Sequence, residues 1–242
     1  MQRLGTYLAL LALPISGIVL LACASTGTEE RVREATAHYQ LGISYLNDNN
    51  IQPAFVEFQK ALEINPRDKE VLNAIGLIYF LKLEDYPRSI EYFQRALAAD
   101  RNFSEASNNL GLALEKTGKI DEAIKAYRAA LENPLYRNAQ KAFHNLGRAQ
   151  YRMKRYGDAV DSYKEAIRRS SDFHLSYYGL ALCYNSLGRY ADAAMSLQKA
   201  LEFDPEYKGD REKARRDLQA RRLIARGDEE KDIADLLEIL NY

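Results

Sequence analysis

A chain of 242 residues with 34 basic and 34 acidic side chains has no formal net charge, which excludes binding to polyanions through bulk electrostatics. Two cysteines and three histidines exclude a disulfide framework, and they are too few and too far apart for a zinc site. The 47% apolar and 28% charged residues are ordinary for one or two folded domains.

Residues 1–22 read as a secretory signal. Arg3 supplies the positive start, and Leu8 to Leu21 is apolar but broken by Pro14 and Gly17. That run is too short and too interrupted for a membrane-spanning helix, which needs about 20 apolar residues. It ends Leu20-Leu21-Ala22-Cys23, which resembles a bacterial lipobox. The resemblance implies that the Cys23 thiol receives a diacylglycerol and becomes the first residue of the mature chain. Residues 23–34, opening with Ala24-Ser25-Thr26-Gly27-Thr28, are expected as a lipidated cysteine and tether. Several acyl chains hold a protein at a membrane stably, where one holds it marginally. Alanine rather than aspartate at position 24 implies, by resemblance to Gram-negative sorting rules, delivery to the inner leaflet of the outer membrane, facing the periplasm.

Residues 35–207 repeat. Leu41-Gly42, Ile75-Gly76, Leu110-Gly111, Leu146-Gly147 and Leu180-Ala181 align with steps of 34, 35, 36 and 34 between the small residues. Each copy is followed by a second pattern at four-then-three spacing, one face of a helix. These are Ala54/Phe58/Ala61, Ser89/Phe93/Ala96, Ala123/Tyr127/Ala130, Ala159/Tyr163/Ala166 and Ala193/Leu197/Ala200. The pattern predicts five helix pairs, at about 35–68, 69–103, 104–139, 140–173 and 174–207. Small residues in the first helix (helix A) and alanines in the second (helix B) allow close packing. Pro66 and Pro205 follow helix B, where they end it, and Pro53 and Pro87 open helix B, where a missing N–H costs nothing. Repeat 2 has one extra residue between its helices, and repeat 3 has two extra around Glu132-Asn133-Pro134-Leu135-Tyr136.

Residues 208–242 span a further repeat length without the signature residues. They read as two helices, about 210–225 and 229–240, forming a degenerate sixth repeat that caps the array. The first is rich in arginine and the second in carboxylates. Two readings are open: the faces pair with each other, or the basic helix meets phospholipid headgroups or an acidic partner.

Nothing in the chain has the spacing of a catalytic or metal centre. His38, His144 and His174 stand apart, Cys183 lacks a base and reads as a small core thiol, and Gly118-Lys119 lacks a phosphate loop's glycines. The sequence offers no enzyme, no cofactor site and no nucleic-acid or small-molecule site, but a binding surface. The five copies resemble the tetratricopeptide repeat. That resemblance implies an all-α, right-handed superhelix whose concave groove is lined by helix A. The positions it implies are Tyr39, Ile43 and Leu46 in repeat 1, Asn73, Leu77 and Phe80 in repeat 2, and Asn108 and Leu112 in repeat 3. Repeat 4 turns basic there with Lys141, His144, Arg148 and Arg152, and repeat 5 presents Tyr178, Leu182 and Asn185. An apolar groove with a few amides suits an amphipathic helix or an extended peptide.

The lipobox, tether and repeats together are similar to the pilotins of type IV pilus secretins (the PilF/PilW type). The segments that carry this likeness are Tyr39–Leu46 running on to Lys60–Pro66, and Asn133-Pro134-Leu135-Tyr136-Arg137-Asn138-Ala139 followed by Phe143–Gly147. The resemblance implies an outer-membrane lipoprotein that binds the secretin subunit and promotes its localisation and multimerisation. A general periplasmic scaffold for another envelope assembly or a polysaccharide export system is the alternative, and a lipid-anchored accessory subunit of an enzyme is a third reading.

Overall fold

In a computed structural model the backbone is described for residues 16–242 and the side chains for residues 29–242. The fold is all-α: among the described residues there are twelve helices and no strand. The helices are α1 (Ser16–Asn47), α2 (Ile51–Ile64), α3 (Lys69–Leu81), α4 (Tyr86–Ala99), α5 (Ser104–Lys116) and α6 (Ile120–Leu131). They continue as α7 (Ala139–Arg152), α8 (Tyr156–Arg169), α9 (His174–Ser186), α10 (Tyr190–Phe203), α11 (Arg211–Arg222) and α12 (Asp228–Ile239). The chain divides into two compact units, Met1–Pro66 and Arg67–Tyr242. The first contains α1 and α2, and the second contains α3–α12.

Residues 1–15 lie outside the described part, and with them the first two-thirds of the expected signal segment. Leu20, Leu21, Ala22 and Cys23 fall on the backbone of α1, with side chains outside the described set. The stretch expected as a tether, 23–34, is also part of α1. Glu29 to Glu34 are mostly good helix formers, which favours continuing the helix into repeat 1. Among the described residues, no helix is long and apolar enough to cross a membrane.

One interaction sets the helix pairs. The helix-A glycine of four repeats lies directly under an aromatic ring from helix B. A Cβ on Gly42 would stand 2.5 Å from Phe58, on Gly76 2.6 Å from Phe93, on Gly111 2.4 Å from Tyr127, and on Gly147 2.9 Å from Tyr163. These four rings are at most 3% exposed. Repeat 5 substitutes Ala181 and Leu197, both buried, and lets the Tyr163 ring reach across to Gly179 instead, where a Cβ would lie 2.3 Å away.

The turn that closes helix A recurs too. A residue with positive φ follows it in every repeat: Asn49 (60°), Glu84 (52°), Gly118 (78°), Lys154 (58°) and Gly188 (71°). The next amide then reaches back to helix A, as in Lys119 N–H to the Leu114 carbonyl (2.9 Å), Arg155 to Gln150 (2.9 Å) and Arg189 to Tyr184 (2.8 Å). This is the left-handed helix ending that glycine fits best. Asp68, Asp85 and Asp210 cap α3, α4 and α11, their side chains accepting from Val71, Arg88 and Lys213 amides.

The long link after α6 has its own logic. Asn133 Oδ1 accepts from the Leu135 amide at 2.9 Å, turning the chain so that Tyr136 plugs among Ala130, Ala139 and Ala142. Leu135 is left 85% exposed. At the other end, Ala214, Leu218, Ile233, Leu236 and Ile239 of α11 and α12 join the core of repeat 5 around Leu180, Cys183 and Leu197. Cys183 is fully buried, and that burial pushes its thiol up to about 12, as befits a core residue.

Candidate functional site

The positions expected to line a groove on α3, α5 and α7 recur at three- or four-residue spacing, so each helix presents them on one face. They are Asn73, Leu77 and Phe80 on α3, Asn108 and Leu112 on α5, and His144, Arg148 and Arg152 on α7. Leu77, Phe80 and Leu112 are half-buried. The Phe80 ring meets Tyr86 edge-on at 5.7 Å. In the first unit, Tyr39, Ile43 and Leu46 lie on α1 and are also half-buried, the Tyr39 ring 6.0 Å from that of Phe58.

The two amides do something the sequence did not disclose. Asn109 Nδ2 donates to Asn73 Oδ1, and Asn145 Nδ2 donates to Asn108 Oδ1, each at 3.0 Å. Each bond links the helix A of one repeat to the helix A of the next. Asn108 and Asn145 are buried, and a buried side-chain amide needs such partners. These asparagines therefore fix the spacing of neighbouring repeats, and Leu77, Phe80 and Leu112 are left as the surface beside them.

The basic residues of repeat 4 are arranged around a carboxylate. Glu115, at the end of α5, has a side chain only 4% exposed. Its Oε2 accepts from the Tyr127 hydroxyl and, at 2.7 Å, from Arg148 Nη2. Arg152 Nη1 approaches Oε1 at 3.6 Å, an ion pair beyond hydrogen-bond length, and that buried oxygen accepts no hydrogen bond. Tyr127 is the ring seated on Gly111, so the network ties the pair-closing contact of repeat 3 to the face of repeat 4. Burial and the adjacent Glu115 charge both push the Tyr127 phenol far above its ordinary range. Phe80, Leu112, Glu115, Lys116, Arg148 and Arg152 enclose a pocket of about 330 Å³.

Glu115 went unremarked in the sequence, although a signal was there. Four residues after the helix-A small residue stand Leu46, Phe80, Glu115, Tyr151 and Asn185, so Glu115 is the acid of that column. One residue after the small residue stand Ile43, Leu77, Leu112, Arg148 and Leu182, so Arg148 is the base of its column. The two departures occur in consecutive repeats and meet.

The remaining repeat-4 and repeat-5 positions behave differently. Lys141 is exposed. His144 Nδ1 lies 3.2 Å from Ser176 Oγ, and its ring packs 5.5 Å from those of Tyr163 and Phe173. Burial, with Arg148 and His174 nearby, lowers its pKa to about 4, so it is neutral at pH 7. The Tyr178 hydroxyl donates to Asp204 Oδ2, Leu182 is buried, and Asn185 Oδ1 accepts from the Tyr242 hydroxyl. The chain's own C-terminal segment thus occupies this end of the face. The Tyr151 hydroxyl donates to Asp232 Oδ1 of α12 at 2.8 Å. Among the described residues, no group of His, Cys, Asp and Glu is placed to hold a metal ion.

The basic helix α11 serves α12 in part. Arg211 and Arg215 both donate to the Leu240 carbonyl just beyond the C-terminal end of α12, and Arg221 pairs with Glu229 at 3.2 Å. Cations at a helix C-terminus are favourable there.

Comparison with known proteins places this geometry. A tetratricopeptide-repeat family model matches residues 76–142 and 144–210, and a second matches residues 35–68. Type IV pilus assembly protein PilF of Pseudomonas aeruginosa is 29% identical over 124 residues, covering 48% of this chain and 49% of PilF. Photosystem I assembly protein Ycf3 of Parasynechococcus marenigrum is 36% identical over 95 residues, covering 38% of this chain and 54% of Ycf3. The chain thus spans about half the length of these curated relatives. A solved structure of Pseudomonas aeruginosa PilF superposes with a TM-score of 0.67 at 24% identity, over 85% of this chain and 98% of that one. At that identity the superposition speaks for the fold.

Proposed function

The chain belongs to the tetratricopeptide-repeat family, and from that premise we propose that it is a type IV pilus biogenesis lipoprotein of the pilotin kind, which binds the outer-membrane secretin and promotes its localisation and multimerisation. The observation that carries the reading is the half-buried apolar row Leu77, Phe80 and Leu112 on consecutive helix-A faces, in a chain similar to PilF. Such a row holds a partner segment through apolar burial, about 25 cal/mol per Å². Neighbouring asparagines are tied into the scaffold, so the face is preorganised and little ordering is needed on binding.

The lipobox-like segment ending at Cys23 adds the membrane address, at the inner leaflet of the outer membrane. Acylation and partner binding on one chain raise the local concentration of secretin subunits at the membrane. The chain supplies placement rather than bond-making chemistry.

Two substitutions test the two halves. Cys23→Ala leaves a folded protein that leaves the outer-membrane fraction, with fewer secretin multimers; normal multimers in that strain would sink the model. Leu77→Lys weakens secretin capture with an unchanged helical spectrum, and undiminished capture would reject the face. The likeness to Ycf3, also an assembly protein, favours a second reading as a general periplasmic assembly scaffold. Capture of a polysaccharide-export or other envelope component in place of the secretin would select it.

A further inference from the structure

The pocket spanning helix A of repeats 2, 3 and 4 specifies what kind of segment the face takes. Its floor is apolar, with Phe80 and Leu112. Its rim carries three cations, Lys116, Arg148 and Arg152, against one carboxylate, Glu115, whose charge is already engaged by Arg148 and which lies buried beneath them. Lys116 is exposed, and the Arg152 side chain is 44% exposed, so both project toward whatever enters. A basic segment would meet net repulsion there, and an acidic one attraction.

The chain supplies a second observation. A neighbouring concavity of about 380 Å³ shares Arg148 and Arg152 with this pocket, and the start of α12 lines it too, with Asp228, Lys231 and Asp232. Helix α12 opens with Asp228, Glu229 and Glu230 and buries Ile233, Leu236 and Ile239. Carboxylates at the start of a helix with an apolar stripe are therefore already placed beside the basic side of repeat 4: Asp228 lines that concavity and Asp232 accepts from Tyr151, while Glu229 pairs with Arg221 of α11 and the stripe packs into the core of repeat 5.

We propose that the pocket over Phe80 and Leu112 receives the acidic first turn of an amphipathic helix from the bound protein. Its carboxylates meet Lys116 and Arg152, and its first apolar residues meet Phe80 and Leu112. The helix lies beside α12 and repeats α12's own pattern of charge and apolarity. This specificity rests on the reading of the helix-A face as a protein-binding surface.

The test uses the chain from residue 23 onward and, as probe, a fluorescein-labelled synthetic peptide with the sequence of residues 227–241. A second peptide has lysine in place of Asp228, Glu229, Glu230 and Asp232. Anisotropy titration is expected to show binding of the acidic peptide alone to the wild-type chain. Lys116→Glu, an exposed change outside the α12 concavity, weakens it by about tenfold, and Lys116→Glu with Arg152→Glu turns preference toward the lysine peptide. No binding of the acidic peptide, equal binding of both, or indifference to Lys116→Glu overturns the proposal. So does a wild-type dimer that Lys116→Glu dissociates in sedimentation, which would assign the pocket to a second copy of this chain. Failure here is separable from failure of the function itself. Secretin capture lost in Leu77→Lys but intact in Lys116→Glu sinks only the pocket, whereas capture intact in Leu77→Lys sinks the face beneath it.

Discussion

Gly111→Ala adds one methyl group where the fold has no room for it. The new Cβ would stand 2.4 Å from Tyr127 Cε1, 2.7 Å from Cδ1 and 2.8 Å from Cζ. Carbon atoms in contact prefer about 3.5–4.0 Å, so the overlap exceeds about 1 Å. The ring cannot retreat freely, being fully buried with its hydroxyl held by Glu115. An extra methyl in a packed core costs about 1–3 kcal/mol, and exchanging glycine for alanine inside a helix returns about 0.5–1 kcal/mol. The net expectation is a loss of about 1–2 kcal/mol. In urea, with a slope of about 1–3 kcal/mol per molar, that lowers the midpoint of helix melting by roughly 0.3 to 2 M. Two controls sharpen the assay. Gly157→Ala, on α8 with nothing within 4 Å of its added Cβ, leaves the midpoint unchanged or slightly raised. Adding Tyr127→Leu to Gly111→Ala costs less than the sum of the single losses, because the smaller side chain vacates the clash. A Gly111→Ala protein as stable as the wild type would refute the close-approach account of the helix pairs.

Two further expectations follow from local features. Lys154→Gly relieves a lysine held at φ 58° in the turn where Gly118 and Gly188 serve other repeats, and raises the urea midpoint by the equivalent of about 0.5–1 kcal/mol; a lower midpoint would contradict the assignment. His144 is neutral in the fold, with a pKa lowered to about 4, while in the unfolded chain it titrates near 6.5. Between those values the unfolded state binds the extra proton, so this residue costs stability as pH falls from 6.5 to 4, by roughly 2–3 kcal/mol at the low end. The difference in stability between wild type and His144→Gln, followed from pH 7 to 4, isolates the effect from carboxylates such as Asp232, whose pKa burial raises. A difference independent of pH would remove His144 from the explanation.

The repeat frame was legible because one physical contact is written four times. Gly42, Gly76, Gly111 and Gly147 each face a helix-B ring, so a glycine and an aromatic recur 16 or, in repeat 2, 17 residues apart. The two C-terminal helices were legible from charge and apolar spacing, and Gly227 lies immediately before α12. The lateral bonds between repeats were not. Asn73 and Asn108 look like free groove amides in a single repeat, and only stacking brings Asn109 and Asn145 to them. Glu115 was hidden for the same reason, since its partner Arg148 lies one repeat onward. Periodicity within a repeat can be read from spacing, whereas contacts between repeats depend on the displacement from one helix A to the next. The C-terminal segment's hold on repeat 5, through Tyr242 to Asn185, also joins residues too distant in sequence for any pattern to suggest.

On the proposed function, the apolar helix-A row holds a secretin subunit. That is tested most directly by placing a photoreactive residue at Leu112 in the full-length chain, in cells assembling type IV pili, and identifying what it captures by mass spectrometry. The secretin subunit is the expected catch, with capture lost when Phe80→Lys is added and absent when the reactive residue replaces the exposed Lys125 on α6. No secretin at Leu112, or equal capture from position 125, would contradict it.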